Sequence, residues 1–441
     1  MRIRARYIVL AVVLATALGV SIFVLRRPVP STVQPPIAGP SVLRWADGGE
    51  ITAPDAMLVQ RARAELNSLG YSDDQLDTHG FTVELTIDSA VQNLAEQAVD
   101  AVLPGQPEDL RQALVAVDPR TGRILAYHGF HPATPGVDFA ARWQNPGTAF
   151  LPFVMTASLL DGKGSGEVYD GTSPRAFNRV VVSNPAGAEC QPRCSVGEAM
   201  QRSARTVFAD IASNVVGTRA VARAAVLAGI PSDVGEQRLP LEGGVNQPPA
   251  VTMAIGDGDT QVRPMDLAAA YATFAANGTR HKPHLVARVV ETKSGAVAYD
   301  GDESNAGSPA FVGHDLRHNA NIARNVTETL LAPAPDKASC GEGVVCAGKS
   351  GSYSCPTPQE HGDIPVVPDH RNICATWMAG YTPQISTAVW VGAQEPKPLK
   401  AADGTPLTTA GPAGQIWRGF MDSYLKGRPA EPFPPLVKIG R

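Results

Sequence analysis

A turn followed by an apolar helical segment is the sequence feature that most constrains the fold of this chain. Pro146-Gly147 is a turn signal, and an apolar segment with helical spacing continues to Leu160 before Gly162 ends it. The first turn of such a helix presents free backbone N–H groups and the positive end of the helix dipole. An acyltransferase or hydrolase that forms a covalent intermediate would place its nucleophile there, so Thr148 is the first candidate.

The composition predicts a globular protein with one large domain and additional segments. The chain has 441 residues, of which 44% are hydrophobic and 18% charged, enough to bury a sizeable core. The net charge of −4, without a basic stripe, argues against a nucleic-acid partner. The histidines form no H-E-x-x-H or facial-triad pattern, and no phosphate-binding glycine loop occurs, so we expect neither a metal nor a cofactor.

The N-terminus predicts a membrane anchor. Residues 7–25 carry no charge and are long enough to span a bilayer. A cleaved signal peptide fits less well, because the apolar segment ends at Arg26-Arg27 instead of an A-x-A site. We therefore expect a single-pass signal-anchor at the cell membrane. The predicted division is a cytoplasmic tip and transmembrane segment (1–27), a Pro-rich linker (28–57), a main domain (58–427) and a Pro-rich tail (428–441).

The cysteines favour an extracytoplasmic domain. Six cysteines follow the predicted anchor, and they lack zinc-finger spacing. Up to three disulfides in an oxidising compartment fit best, with buried reduced thiols as the alternative, and the pairing is open. The disulfide candidates are Cys190, Cys194, Cys340, Cys346, Cys355 and Cys374.

An ordered series of motifs precedes and follows the Pro146-Gly147 turn. The patterns L-T-I-D, Q-x-x-A-E and V-D-P-R-T-G-x-I-L-A come first, then the segment P-G-T-A-F-L-P-F over 146–153. This order resembles the transpeptidase domain of class A penicillin-binding proteins, of actinobacterial type, over about residues 60–427. The resemblance implies an α/β (α+β) fold of the penicillin-binding transpeptidase and serine β-lactamase kind, with an antiparallel sheet flanked by helices. It also implies a role in peptidoglycan assembly. Too few residues separate the anchor from this domain for the glycosyltransferase domain that class A members carry.

The catalytic pair of that family is altered here. In its P-G-S-x-F-K-P-F element, the Ser attacks a peptide carbonyl and the Lys one turn later takes the proton. Thr148 stands at the nucleophile position and Leu151 at the position of the base. Leu151 cannot accept a proton, and we expect it in the core. Thr148 is either a helix cap or a weakened nucleophile.

The family's S-x-N element is also altered. Ser203 matches its Ser, which relays a proton in the family, and Arg205 replaces the Asn whose amide holds the substrate peptide. A guanidinium donates but does not accept hydrogen bonds, so it cannot reproduce an amide. Arg205 either reaches solvent or an acidic neighbour, or it fills the cleft and meets an anion there.

The third family element is intact. Lys349-Ser350-Gly351 matches K-[TS]-G, is followed by Ser352, and comes after a predicted strand over 344–348. In the family, this Lys and the hydroxyls hold a terminal carboxylate, and the Gly lets the strand approach the ligand closely.

Three functions are consistent with these residues. The leading hypothesis is a catalytically inactive transpeptidase that acts as a scaffold or regulator among other cell-wall synthesis proteins. The enzyme alternative is a slow D,D-transpeptidase or carboxypeptidase that uses Thr148, with Lys349 or another Lys as a displaced base; it predicts the Lys349 amine near the Thr148 hydroxyl. The third possibility is a non-covalent receptor for peptidoglycan stem peptides or β-lactams.

Overall fold

The computed structural model describes residues 41–51, 56–103, 105–188, 190–234, 237–238, 248–331, 340, 343–355, 360–361, 364–365, 372–401, 403–407 and 411–441. Residues Gly39–Arg441 form one compact unit. The predicted anchor lies outside the described residues. None of the helices described is both long enough and apolar enough to cross a membrane.

Helices and strands are interspersed along the described residues. The helices are α1 (Ala56–Ser68), α2 (Asp73–Thr78), α3 (Ser89–Asp100), α4 (Leu151–Leu160), α5 (Val196–Arg202), α6 (Arg205–Asp210), α7 (Thr218–Ala228), α8 (Pro264–Ala275), α9 (Leu316–Leu330) and α10 (Gly411–Leu425). Short 3₁₀ turns cover Gly147–Phe150, Val251–Ile255 and Glu303–Asn305, and Ile211–Val215 is a π turn. The strands are β1 (Val42–Arg44), β2 (Phe81–Leu85), β3 (Leu110–Val117), β4 (Ile124–His128), β5 (Val168–Gly171), β6 (Arg175–Phe177), β7 (Val180–Val182), β8 (Cys190–Ser195), β9 (Asp233–Val234), β10 (Gln237–Arg238), β11 (Thr279–Arg280), β12 (Val286–Glu291), β13 (Val297–Asp300), β14 (Ser308–Pro309), β15 (Ala347–Ser354), β16 (Glu360–His361), β17 (Ile364–Pro365), β18 (Ile373–Thr382) and β19 (Ile385–Ala393).

A five-stranded antiparallel sheet of order β15-β18-β19-β3-β4 forms the middle layer. All of β3 is buried, and its side chains alternate between two cores. Ala113, Val115 and Val117 face one core, whereas Leu114 and Ala116 face the other. Because strand side chains point alternately to opposite faces, both faces of the sheet are covered.

Helices cover the sheet on both sides. Helix α8 lies on one face, begins with Pro264 and is buried along its whole length. The Tyr271 hydroxyl of α8 donates to the Ala149 carbonyl at 2.8 Å, so this helix lies under the Pro146-Gly147 turn. Helices α3 and α10 cover the other face, where Trp417 Nε1 donates to the Thr387 carbonyl at 3.1 Å. The predicted antiparallel sheet flanked by helices is confirmed.

A second sheet and the C-terminal segment lie partly in ranges that we assigned to linker and tail. Strand β1 runs parallel to β2, with Leu43 opposite Val83, although it lies within the predicted linker. In the tail, the Pro434 carbonyl accepts a hydrogen bond from Arg324 Nε. Both segments therefore belong to the folded unit.

The residues that follow β8 form several short elements. They are α5, α6, the π turn and α7. Ser203 adopts the left-handed conformation with φ 59°, which ends α5. Residues 344–354 have a strand-like pattern, and β15 covers this segment from Ala347 onward, so Lys349 lies inside the strand.

The six cysteines form three disulfides, which replaces the alternative of reduced thiols. Cys346 immediately precedes β15 and Cys355 immediately follows it, so the strand that carries Lys349 is cross-linked at both ends. The pairs are Cys190–Cys194, Cys340–Cys346 and Cys355–Cys374.

Candidate active site

The turn that carries Thr148 is held by close backbone contacts. Gly147 has φ +54°, and a Cβ there would lie 2.2 Å from the Ser352 carbonyl oxygen. A Cβ on Gly351 would lie 2.3 Å from the Pro146 carbonyl oxygen. Such distances are below van der Waals contact, so only glycine allows this approach. The turn is therefore pressed directly against β15.

Thr148 does not cap the helix. Neither the 3₁₀ turn nor α4 has a side-chain cap. The Thr148 hydroxyl instead donates to the Ser350 carbonyl at 3.0 Å, and the side chain is only 1% exposed. The helix-cap interpretation is wrong because β15 presents a carbonyl acceptor at the point where the hydroxyl is directed.

Lys349 joins three parts of the site. Its Nζ donates to Ser203 Oγ at 2.6 Å, to the Ser350 carbonyl at 2.9 Å and to Thr148 Oγ1 at 3.4 Å. Lys349 is 5% exposed and Ser203 is 8% exposed. The structure thus brings together Thr148, Ser203 and Lys349, which lie far apart in the sequence.

The buried amine of Lys349 is poised to exchange a proton near neutral pH. Burial, followed by the neighbouring positive charge of Arg205, lowers the pKa of Lys349 to about 7. A base is most effective when its pKa lies near the working pH. Lys349 therefore supplies an amine that could accept a proton beside Thr148, although Leu151 cannot.

Leu151 lies where we predicted, in the core. It is the first residue of α4 and is fully buried among apolar side chains. The position of the family's general base therefore contributes packing.

Arg205 does not reach solvent, and an acidic residue is its neighbour. It is the first residue of α6 and is 1% exposed. Burial lowers the pKa of Arg205 to about 10, and the charge of Asp257 acts in the opposite direction. Burial in turn raises the pKa of Asp257, while Arg205 lowers it. The acidic neighbour is therefore Asp257, and a guanidinium occupies the buried site next to Lys349.

Asp257 is a site residue that motif matching missed. It lies in the segment Ile255-Gly256-Asp257-Gly258, outside the three family elements, and we assigned it no role. The signal in the sequence was its position directly after Gly256. Gly256 has φ +66° and forms a turn that packs against Gly147. The Gly147 N–H donates to the Gly256 carbonyl at 3.0 Å, which ties that turn to the Thr148 turn.

The remaining residues of the third element lie along β15. Ser350 is half-buried, while Gly351 and Ser352 are buried. Trp377 pairs with Gly351 on the neighbouring strand β18. The strand is intact as a backbone element, but the Thr148 turn occupies the space along it.

Among the described residues, one group combines potential metal ligands within a short distance: Cys190, Cys194 and Glu198. The two sulfur atoms of this group are joined in a disulfide, so they are not available as thiolates.

These features define a class of protein. The antiparallel sheet between helices, the turn-to-helix element beside its edge strand and the Ser–Lys contact across the site are those of a penicillin-binding transpeptidase domain. The family model described as "Penicillin binding protein transpeptidase domain" matches residues 112–406. The chain belongs to this family.

Two similar relatives are mycobacterial. The chain is 35% identical to penicillin-binding protein 1A of Mycolicibacterium smegmatis over 395 residues, which cover 89% of this chain and 47% of the relative. It is 34% identical to penicillin-binding protein 1A of Mycobacterium tuberculosis over 415 residues, covering 93% of this chain and 47% of the relative. The structure of PonA1 from Mycobacterium tuberculosis superposes with a TM-score of 0.77 at 32% identity, covering 88% of this chain and 96% of that chain. This chain spans about half the length of the curated relatives it matches.

Proposed function

We propose that this protein is a transpeptidase-like component of peptidoglycan assembly that forms no acyl-enzyme at Thr148 and acts as a scaffold or regulator. One observation carries the proposal: the only hydroxyl at the nucleophile position is buried and donates its proton to the Ser350 carbonyl. A nucleophile must instead direct its proton to a base and its lone pair to the substrate.

The loss of the base supports the same conclusion. Leu151 provides no proton acceptor, and a missing general base costs about 100- to 10,000-fold in rate. The branched Thr148 side chain also has fewer rotamers than serine with which to leave its contact with β15.

A second function is favoured by the position of Lys349. Its Nζ lies 3.4 Å from Thr148 Oγ1, and its pKa of about 7 allows a neutral amine. A slow D,D-transpeptidase or carboxypeptidase could use this pair. That chemistry requires Thr148 to release Ser350 and Lys349 to release Ser203, whose contact with the amine is shorter.

The proposal includes the location and partners of the protein. The uncharged segment 7–25 would anchor it in the cell membrane, with the main domain outside the cytoplasm. Three disulfides among the described residues support an oxidising compartment. Other cell-wall synthesis proteins would be its partners, and stem peptides or β-lactams would bind weakly, if at all, without acylation. A solved structure of the relative PonA1 contains penicillin V.

The test is covalent labelling of the full-length protein with a fluorescent penicillin, followed by denaturing gel and intact mass. Wild type, Thr148→Ala and the double variant Thr148→Ser/Leu151→Lys are compared, and thermal unfolding checks that each is folded. We expect no adduct on wild type and an adduct on the double variant. An adduct on wild type that disappears in Thr148→Ala would refute the proposal and establish the second function.

A further inference from the structure

A cavity lies at the edge of the five-stranded sheet that is opposite to the edge with Lys349. Strand β4 is one edge of this sheet and β15 is the other. Four interstrand steps of about 4.8 Å separate them, so the cavity is roughly 20 Å from the altered catalytic centre. It has a volume of about 740 Å³ and lies between α3, the beginning of α1, β4 and the loop that follows β4.

The walls of this cavity suit an organic ligand. Protein pockets for small ligands have volumes of about 300 to 1,000 Å³ and are mostly apolar. Apolar side chains contribute a large part of the wall here. They include Met57, Leu58, Val99, Leu103 and Phe130.

The polar groups of the cavity are mainly hydrogen-bond acceptors. Glu96 and Asp100, both on α3, supply two carboxylates, and the described lining includes no lysine or arginine. Gln112 is 4% exposed, and its carboxamide oxygen has no hydrogen-bond partner among the described residues. A buried acceptor without a partner is costly, so a donor from a ligand would stabilise it.

Two histidines complete the wall and are neutral at pH 7. Burial is the main reason that the pKa of His128 is lowered; Glu96 and Asp100 act in the opposite direction, and His131 adds to the lowering. Burial also lowers the pKa of His131, with a further contribution from Arg111. The cavity therefore carries net negative charge near neutral pH.

We propose that this cavity binds an organic cation, namely an ammonium or guanidinium group on an apolar body. The cationic head satisfies the carboxylates of α3 and donates to the Gln112 oxygen, while the body contacts the apolar wall. Such a cation is either a free small molecule or a lysine or arginine side chain in an apolar peptide. This assignment does not depend on the chemistry at Thr148.

The test is calorimetric titration of the full-length protein in nanodiscs, with empty nanodiscs as the blank. The small-molecule probes are 4-phenylbutylamine and its uncharged analogue 4-phenylbutanol. The peptide probes are acetyl-Leu-Lys-Leu-amide and the same peptide with norleucine in place of lysine. We expect at least one cationic probe to bind saturably and about tenfold more tightly than its uncharged analogue. Binding of the amine alone indicates a small molecule, and binding of the peptide alone indicates a protein side chain.

Variants establish where the probe binds. The double variant Glu96→Gln/Asp100→Asn reduces the preference for the cation to about twofold or less, whereas Glu303→Gln, an exposed carboxylate on another surface, leaves it unchanged. Equal binding of charged and uncharged probes, no saturable binding of any probe, or full affinity in the double variant would each overturn the proposal.

Discussion

Replacing Lys349 with methionine tests whether the buried amine destabilises the fold. The pKa of Lys349 falls from 10.5 to about 7, mainly because burial disfavours the charged form. A group whose pKa is lowered on folding costs stability at pH values below its folded pKa, and the cost disappears as the pH rises through its unfolded pKa. The full cost is about 5 kcal/mol below pH 7. It decreases by about 3 kcal/mol between pH 6 and pH 9.5.

Methionine removes this cost but also the three hydrogen bonds that Lys349 donates. Their loss leaves acceptors such as Ser203 Oγ without a donor and costs roughly 2 kcal/mol, with little dependence on pH. Lys349→Met is therefore expected to be more stable than wild type by about 3 kcal/mol at pH 6 and to lose this advantage by pH 9.5.

The assay is urea unfolding of residues 39–441, with disulfides intact, at pH values from 6 to 9.5. Lys293→Met, which replaces an exposed lysine, is the matched control and should run parallel to wild type. If the stability curves of Lys349→Met and wild type also run parallel across this range, then Lys349 keeps an ordinary pKa and the reasoning is wrong.

Two further substitutions probe the same site. Gly351→Ala places a methyl group 2.3 Å from the Pro146 carbonyl oxygen and is expected to lower the free energy of unfolding by about 2 to 4 kcal/mol. The control Gly313→Ala, with open space around it, is expected to change this free energy by less than about 1 kcal/mol. Equal effects of the two substitutions in urea unfolding would contradict the close approach. Arg205→Gln removes a positive charge that lowers the pKa of Lys349, so the pKa of Lys349 should rise in this variant. The rise of stability with pH that Lys349 causes should therefore begin at a higher pH in Arg205→Gln than in wild type. An unchanged pH profile of stability would show that the two cations do not interact.

Local patterns predicted the elements that depend on neighbours in sequence. The apolar run after Gly147 identified a buried helix with Leu151 in the core. Strand β1 escaped detection because three residues carry little periodicity. Its position depends on pairing with β2, about forty residues further along.

The site depended on contacts that no local pattern encodes. The Thr148 hydroxyl bonds to a carbonyl 202 residues later, so its direction is decided by the approach of β15. Arginine is usually exposed, and the burial of Arg205 near Asp257 depends on tertiary packing that no local pattern encodes. Motifs located Ser203 and Lys349, but the left-handed conformation that aims Ser203 at the amine belongs to the folded chain.

The cross-links at both ends of β15 determine which side of the site can move. Cys355–Cys374 ties the end of β15 to the neighbouring strand β18, and Cys340–Cys346 closes a short loop just before β15. These two disulfides do not cross-link the short helices α5 and α6 around Ser203. We therefore expect that a ligand entering between β15 and the opposing segments would displace α5 and α6 more readily than β15.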